Sequence, residues 1–207
     1  MNASGDSLAR EQDLFQGQGG GEIPTSPHQC FIKPCSYEHI SWVFKMFHYK
    51  SDNMGGGIDF SLAMQFHASV VGGAVIGKLR QDQVYSKDNR RCVEIRRMAL
   101  IDLMPKNSES WFLGKILWFL KKHTEYTHVI SYADLSVGHK GTIYKATNFK
   151  LIGETLPSKH IFWKGKRYHP RSLTIDRDYS RKLNQAILTG EARVETGKPK
   201  LIYEYSL

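Results

Sequence analysis

The sequence predicts an α/β protein, a β-sheet with helices on its faces. Two observations carry this. Apolar runs with the two-residue period of strands alternate along the chain with two patterns of 3.6-residue period, and the elements follow in the order strand, helix, three strands, helix, strand, short helix, two strands. No stretch repeats internally. At 207 residues the chain suffices for one domain with appendages and a sizeable core.

Residues 1–27 are rich in Gly, Ser and Gln and poor in apolar side chains, so they are expected to form a flexible leader that buries too little to offset ordering entropy. Order is expected from "QCFIKP", a short strand. "SYEHISWVFKMF" places Ile40, Val43, Phe44 and Phe47 at helical spacing behind Ser36 or its neighbour as N-cap. After the glycine loop "SDNMGGGID", the runs "FSLAMQFHA" and "SVVGGAVIGKL" predict an antiparallel hairpin. "CVEIRRMAL" is the next strand, with Val93, Ile95, Arg97 and Ala99 on one face and Glu94, Arg96, Met98 and Leu100 on the other. In "SESWFLGKILWFLKKH", Leu113, Ile116, Leu117 and Leu120 form a buried stripe, and Lys121, Lys122 and His123 suit the negative end of the helix dipole. "THVISYA" is a buried strand and "KGTIYKATNF" a short helix. "FKLIGET" and "KHIFWKGKRYH" close the core, with "KGK" as turn. A helix around "SRKLNQAILTG" and a strand "KLIYEY" follow.

The composition is that of an ordinary soluble globular protein. There is no bilayer-length apolar run and no secretory signal pattern, and three cysteines argue against a disulfide framework, so the expected compartment is cytoplasmic. Nor do the cysteines and nine histidines show a zinc-site spacing. The net charge of +9 favours polyanionic partners, nucleic acid first and an anionic cofactor second. Residues 151–207 carry eleven Lys/Arg against six Asp/Glu, a net of +5. Phosphate contact is the functional reading of this segment; a solvated helix face plus an edge strand is the structural one.

The strings "HYK" (48–50), "IRRMAL" (95–100), "PKNSES" (105–110), "SYAD" (131–134), "GHKGTIYKATNF" (138–149) and "YHPRSLTIDR" (168–177) together resemble the Mom family of phage proteins that modify adenine in DNA. The resemblance spans residues 28–207. It implies a GNAT-like acyltransferase fold: a central, mostly antiparallel twisted sheet with helices on both faces, plus a basic C-terminal extension. The implied organisation is a leader (1–27), a catalytic core (28–168) and a basic arm packed on it (169–207). The implied activity is N6-carbamoylmethylation of adenine in double-stranded DNA, protecting phage DNA from restriction in the cytoplasm of the bacterial host. An ordinary GNAT N-acetyltransferase acting on a protein or small-molecule amine is the alternative.

Adenine N6 is a poor nucleophile and is stacked in the duplex, so the base must be extruded into a pocket. Asp134 is a candidate to accept a proton from N6 or to hold another catalytic group; a turn or helix cap is the rival reading. Tyr144 is the candidate general acid to a leaving thiolate, against a role as core tyrosine. His48 and Tyr49 are marked by the resemblance for catalysis, metal binding or base recognition; Arg97 is a candidate for organising the site because a buried arginine needs an anionic or hydrogen-bonding partner. GNAT enzymes cradle the coenzyme A pyrophosphate with a glycine-rich turn, yet "DLMPKNSES" has no glycine. A helix N-terminus there still offers free N–H groups, with Lys106, Ser108 and Ser110 as acetyl-CoA-binding candidates. Because the carbamoylmethyl product bonds N6 to a CH2, an iron-dependent step is also weighed, with His48 and Asp134 as its ligands.

Overall fold

The computed structural model describes residues 22–48, 57–79 and 90–207. Most of the leader, Tyr49, most of the glycine loop and the loop 80–89 lie outside the described residues. The elements are β1 (Phe31–Cys35), α1 (Tyr37–Phe47), β2 (Ile58–Phe66), β3 (Ser69–Gly77), β4 (Cys92–Leu100), α2 (Ser108–His123), β5 (His128–Asp134), α3 (Thr142–Ala146), β6 (Lys150–Glu154), β7 (Lys159–Trp163), β8 (Lys166–Tyr168), α4 (Asp178–Leu188), β9 (Arg193–Thr196) and β10 (Lys200–Ser206). Seven strands form one sheet in the order β1-β2-β3-β4-β5-β10-β6, and three form another in the order β8-β7-β9. The pairs β1·β2, β2·β3 and β3·β4 are antiparallel, whereas β4·β5 is parallel.

The chain divides into two compact units. The first comprises the chain through Tyr132, Gly141–Leu151 and Tyr203–Leu207; the second comprises Ala133–Lys140 and Ile152–Ile202. In the first, α1 buries its predicted stripe: Ile40, Val43 and Phe44 pack with Ala63 of β2, Val75 of β3 and the partly buried Ala99 of β4. On α2, Leu113, Ile116, Leu117 and Leu120 are buried together with Phe112. Phe119 of α2 meets Phe60 of β2 at 5.9 Å between ring centroids. Phe60 and Ala63 are three residues apart on a strand and so point to opposite faces, which puts α1 and α2 on opposite sides of the sheet.

Two expectations about the chain's later part are corrected. The run "KHIFWKGKRYH" does not extend the large sheet. Lys164 and Gly165 both adopt positive φ, 48° and 71°, forming the two-residue turn that suits hairpin twist. The resulting β7–β8 hairpin pairs with β9 instead. In the second unit α4 packs Leu183 and Ala186 against Ile161 and Ala192. The strand β10, an edge strand only in the structural reading of the basic segment, lies inside the large sheet between β5 and β6.

Candidate functional site

The parallel strands β4 and β5 pair only at Cys92↔His128, Val93↔Val129 and Glu94↔Ile130. Beyond that point no further partners are matched between them among the described residues. On its other edge β4 carries a bulge: Val75 faces Arg97 and Ile76 faces Ile95, so Arg96 is the extra residue. A bulge bends its strand and increases local twist, consistent with a ladder that opens where it does. It also interrupts the strict alternation expected for Arg96 and Arg97. Arg97 is buried and Arg96 half-buried.

Where the ladder opens, a side chain takes over from the backbone. The hydroxyl of buried Ser131 donates to the Ile95 carbonyl at 3.3 Å. Ser131 Oγ also lies 2.8 Å from Tyr144 Oη, a contact in which either hydroxyl can donate. Desolvation by burial raises the Tyr144 phenol above its ordinary value of 10.0, and the Ser131 hydrogen bond only partly opposes this. Tyr144 therefore carries its proton at neutral pH.

Packing holds this phenol in place. Tyr203, fully buried on β10, stacks on Tyr144 at 4.9 Å and an interplanar angle of 27°. Phe149 approaches edge-on at 5.4 Å. The chain enters α3 through Gly141 at φ +73°, where a Cβ would lie 2.2 Å from Tyr203 Oη. Glycine is needed here on both counts. Neither Ser131 nor Tyr203 was singled out from sequence. A small polar residue inside the apolar run "HVISYA" was the available signal for Ser131, because a buried hydroxyl needs a partner. Nothing local marked Tyr203.

At the start of α2 an open cleft of about 430 Å3 is lined by Pro27, His28, Lys106, Asn107, Ser110, Trp111, Ala146 and Thr147. Asn107 is the N-cap and adopts the left-handed conformation, φ 69° and ψ 8°. This is the conformation a glycine would supply, and asparagine is among the few other residues that tolerate it. Ser110 Oγ donates to the Asn107 carbonyl at 3.0 Å. Ser108 points inward: it is fully buried, and its hydroxyl donates to the Pro105 carbonyl at 2.6 Å. Of the three cofactor candidates, Lys106 and Ser110 line the cleft and Ser108 does not.

The remaining candidates are placed as follows. Asp134, buried and in the second unit, caps the 3-10 turn Leu135–Val137. Its Oδ1 accepts from the Ser136 backbone N–H at 3.0 Å and from the Ser136 hydroxyl, and Lys200 Nζ lies 3.5 Å from Oδ2. His48, half-buried in the first unit, ends α1. Its N–H donates to the Phe44 carbonyl at 3.3 Å, and its ring lies edge-on to Phe44. Tyr49 lies outside the described residues. Among the described residues no group of three or more His, Cys, Asp and Glu side chains assembles, so iron at His48 and Asp134 finds no supporting donor set.

A bulged β4, a parallel neighbour that diverges from it, and a helix N-terminus behind its loop define the class: this is the GNAT acyltransferase fold. Solved structures agree. An IAA acetyltransferase from Bacillus cereus superposes with a TM-score of 0.53 at 11% identity, covering 86% of this chain and 99% of that one. A Bacillus subtilis acetyltransferase in complex with CoA gives 0.53 at 12%, with the same coverage. A GNAT family acetyltransferase from Elizabethkingia anophelis with acetyl-CoA bound gives 0.53 at 9%, again with that coverage. Such identities establish the fold and no more. The sequence identifies the particular family: residues 30–204 match the Mom protein family, and the chain belongs to it. It is also 41% identical over 73 residues to the methylcarbamoylase Mom of Escherichia phage Mu, a match covering 34% of this chain and 30% of that protein.

Proposed function

We propose that this protein is a DNA-modifying transferase that converts adenine in double-stranded DNA to N6-carbamoylmethyladenine and so protects phage DNA from host restriction. Membership of the Mom family, with a methylcarbamoylase among its relatives, is the observation that carries this reading. The geometry at the β4–β5 opening supports it with a protonated phenol held by Ser131, Tyr203 and Phe149.

The residues at the start of α2 fit an acetyl-CoA-type donor. Lys106 brings a positive charge to the cleft, Asn107 makes the left-handed turn, and the N–H groups of Glu109 and Ser110 precede the first intrahelical bond, from Trp111 N–H to the Asn107 carbonyl. Bound there, the cofactor supplies an activated two-carbon unit. Tyr144 holds and delivers the proton: its O–H, resting on Ser131, serves as general acid. In the product N6 is bonded to a CH2 rather than to a carbonyl carbon, so transfer of an acyl group to nitrogen does not by itself complete the reaction. No step is derived through iron.

Nucleoside mass spectrometry tests the reading. Plasmid DNA from bacteria expressing the protein should contain a deoxyadenosine heavier by a carbamoylmethyl group and not by an acetyl group. The Tyr144→Phe variant should give unmodified DNA. Unmodified DNA with the folded wild-type protein, accompanied by thioester turnover on a protein or small amine, would reject it in favour of an ordinary N-acetyltransferase.

A further inference from the structure

The second unit carries a surface that the proton chemistry leaves unused. One face of its sheet is packed by a helix: Ile161, 1% exposed, packs with Leu183 and Ala186 of α4 and with Trp163 and Tyr168. Tyr168 is the cross-strand partner of Ile161. Strand alternation turns His160 and Phe162 to the opposite face. There the register sets Arg167 of β8 and Arg193 of β9 on either side of Phe162. Contacts agree with the register. The Arg193 guanidinium lies 5.6 Å from the Phe162 ring centroid, and Arg167 Nη2 lies 3.0 Å from His160 Nδ1. Phe162 and His160 are half-buried and both arginines are exposed, Arg193 with 73% of its side chain. Glu195, the single carboxylate in these three strands, faces His160 across the register and bonds Arg193 at 2.7 Å. The whole unit holds twelve Lys/Arg against six Asp/Glu. That is a net of +6 of the chain's +9 within 59 of its 207 residues.

We infer that the face of this three-stranded sheet opposite α4 is a nucleic-acid platform, on which Arg167 and Arg193 take backbone phosphates and Phe162 takes the face of an unpaired base. The inference rests on the DNA-modifying reading and adds the place where the strand is held. Planar guanidinium forks match phosphate oxygens, and an aromatic ring between them accepts any base through its π-face. An acidic protein segment would satisfy the arginines but has no use for the ring. A base-modifying enzyme working on a duplex also creates unstacked bases, the species such a ring recognises.

The test is fluorescence anisotropy on two short labelled duplexes, one fully paired and one carrying a single unpaired base, over a salt series. The double variant Arg167→Gln/Arg193→Gln should lower the slope of log affinity against log salt by about two on both DNAs, since each phosphate contact contributes about 0.9. Phe162→Leu keeps an apolar side chain without the π-face. It should leave the slope unchanged and weaken binding to the unpaired-base duplex by about tenfold. Far-UV circular dichroism checks that each variant is folded; the single variants Arg167→Gln and Arg193→Gln, each expected to lower the slope by about one, replace the pair if it unfolds. Lys182→Gln/Lys198→Gln removes the same charge from elsewhere in the unit and should leave the slope nearly intact. Equal loss in that control reduces the surface to general electrostatics and overturns the platform. So does unchanged binding in the arginine variant, which leaves the DNA reading standing. A wild-type protein that binds neither DNA at any salt sinks both.

Discussion

Replacing Gly141 by alanine should dislodge the Tyr144 phenol, and the structure gives the cost in two separable parts. Gly141 sits at φ +73°, and an added Cβ would stand 2.2 Å from Tyr203 Oη, 2.3 Å from Cζ and 2.5 Å from Cε2. Carbon atoms rest at about 3.5–4.0 Å, so the ring must retreat by more than about 1 Å. Tyr203 is fully buried and stacked on Tyr144, which leaves it nowhere to go without moving that ring. The left-handed conformation alone costs an L-residue about 1–2 kcal/mol, and overpacking adds about 1–3 kcal/mol. Gly138→Ala calibrates the first part, because Gly138 has φ +82° and nothing within 4 Å of its missing Cβ. Urea unfolding should therefore show a loss of about 1–2 kcal/mol for Gly138→Ala and about 2–5 kcal/mol for Gly141→Ala. Tyr203→Leu should cost less in the Gly141→Ala background than in the wild type, since the two residues share one contact. The modified nucleoside should fall with Gly141→Ala in folded protein at low temperature. Equal losses for the two alanine variants would refute the claim that Tyr203 is wedged between the α3 turn and Tyr144.

Three further outcomes follow from the site. Because the Tyr144 phenol is raised above 10.0, activity that needs its proton should persist past pH 10 and decline only above it. A pH–rate profile falling near pH 8 would exclude the phenol as the titrating acid. Asp134→Asn keeps an oxygen that accepts from Ser136 N–H, preserving the turn, but removes the basic carboxylate. Lost modification with unchanged thermal stability makes Asp134 a proton acceptor, and retained modification makes it a cap alone. His128 and His160 both have pKa values lowered from 6.5, chiefly by desolvation, with Arg90 acting on His128 and with Arg167 and His169 on His160. A histidine lowered in the fold adds nothing above its unfolded value and opposes folding as pH drops through that value toward the folded one. The melting temperature should therefore fall between pH 7 and 5, and fall less in the doubly substituted His128→Gln/His160→Gln.

What was legible in the sequence was what a local period can encode. The stripe on α2, the hairpin of β2 and β3, the limits of β4 and the turn before β8 all follow from neighbours within a few residues, and all are found. Tyr144 was reached through the family resemblance and not through periodicity. What lay hidden was pairing across distance. Nothing near "KLIYEY" says that this strand enters the sheet between β5 and β6, and so nothing says that Tyr203 lies under Tyr144. The bulge at Arg96 was invisible for a related reason. An extra residue in one strand is defined only against its partner, and the partner's register is a property of the fold.

The missing glycine before α2 shows how a motif and the physical need behind it come apart. A glycine-rich turn at a helix N-terminus serves by letting the backbone take positive φ and approach an anion closely. Here the chain takes that conformation once, at Asn107, and an asparagine suffices because its short polar side chain tolerates the left-handed region. What glycine would also provide, an unobstructed approach, is here limited by side chains: Lys106, Asn107 and Ser110 line the cleft, with His28 and Trp111 beside them. The ring of Trp111 meets His28 edge-on at 6.0 Å and carries Lys115 Nζ 5.3 Å from its centroid. The cleft thus combines lysine charge with aromatic walls. A sequence pattern built on glycines misses this turn, because the backbone takes its positive φ at an asparagine.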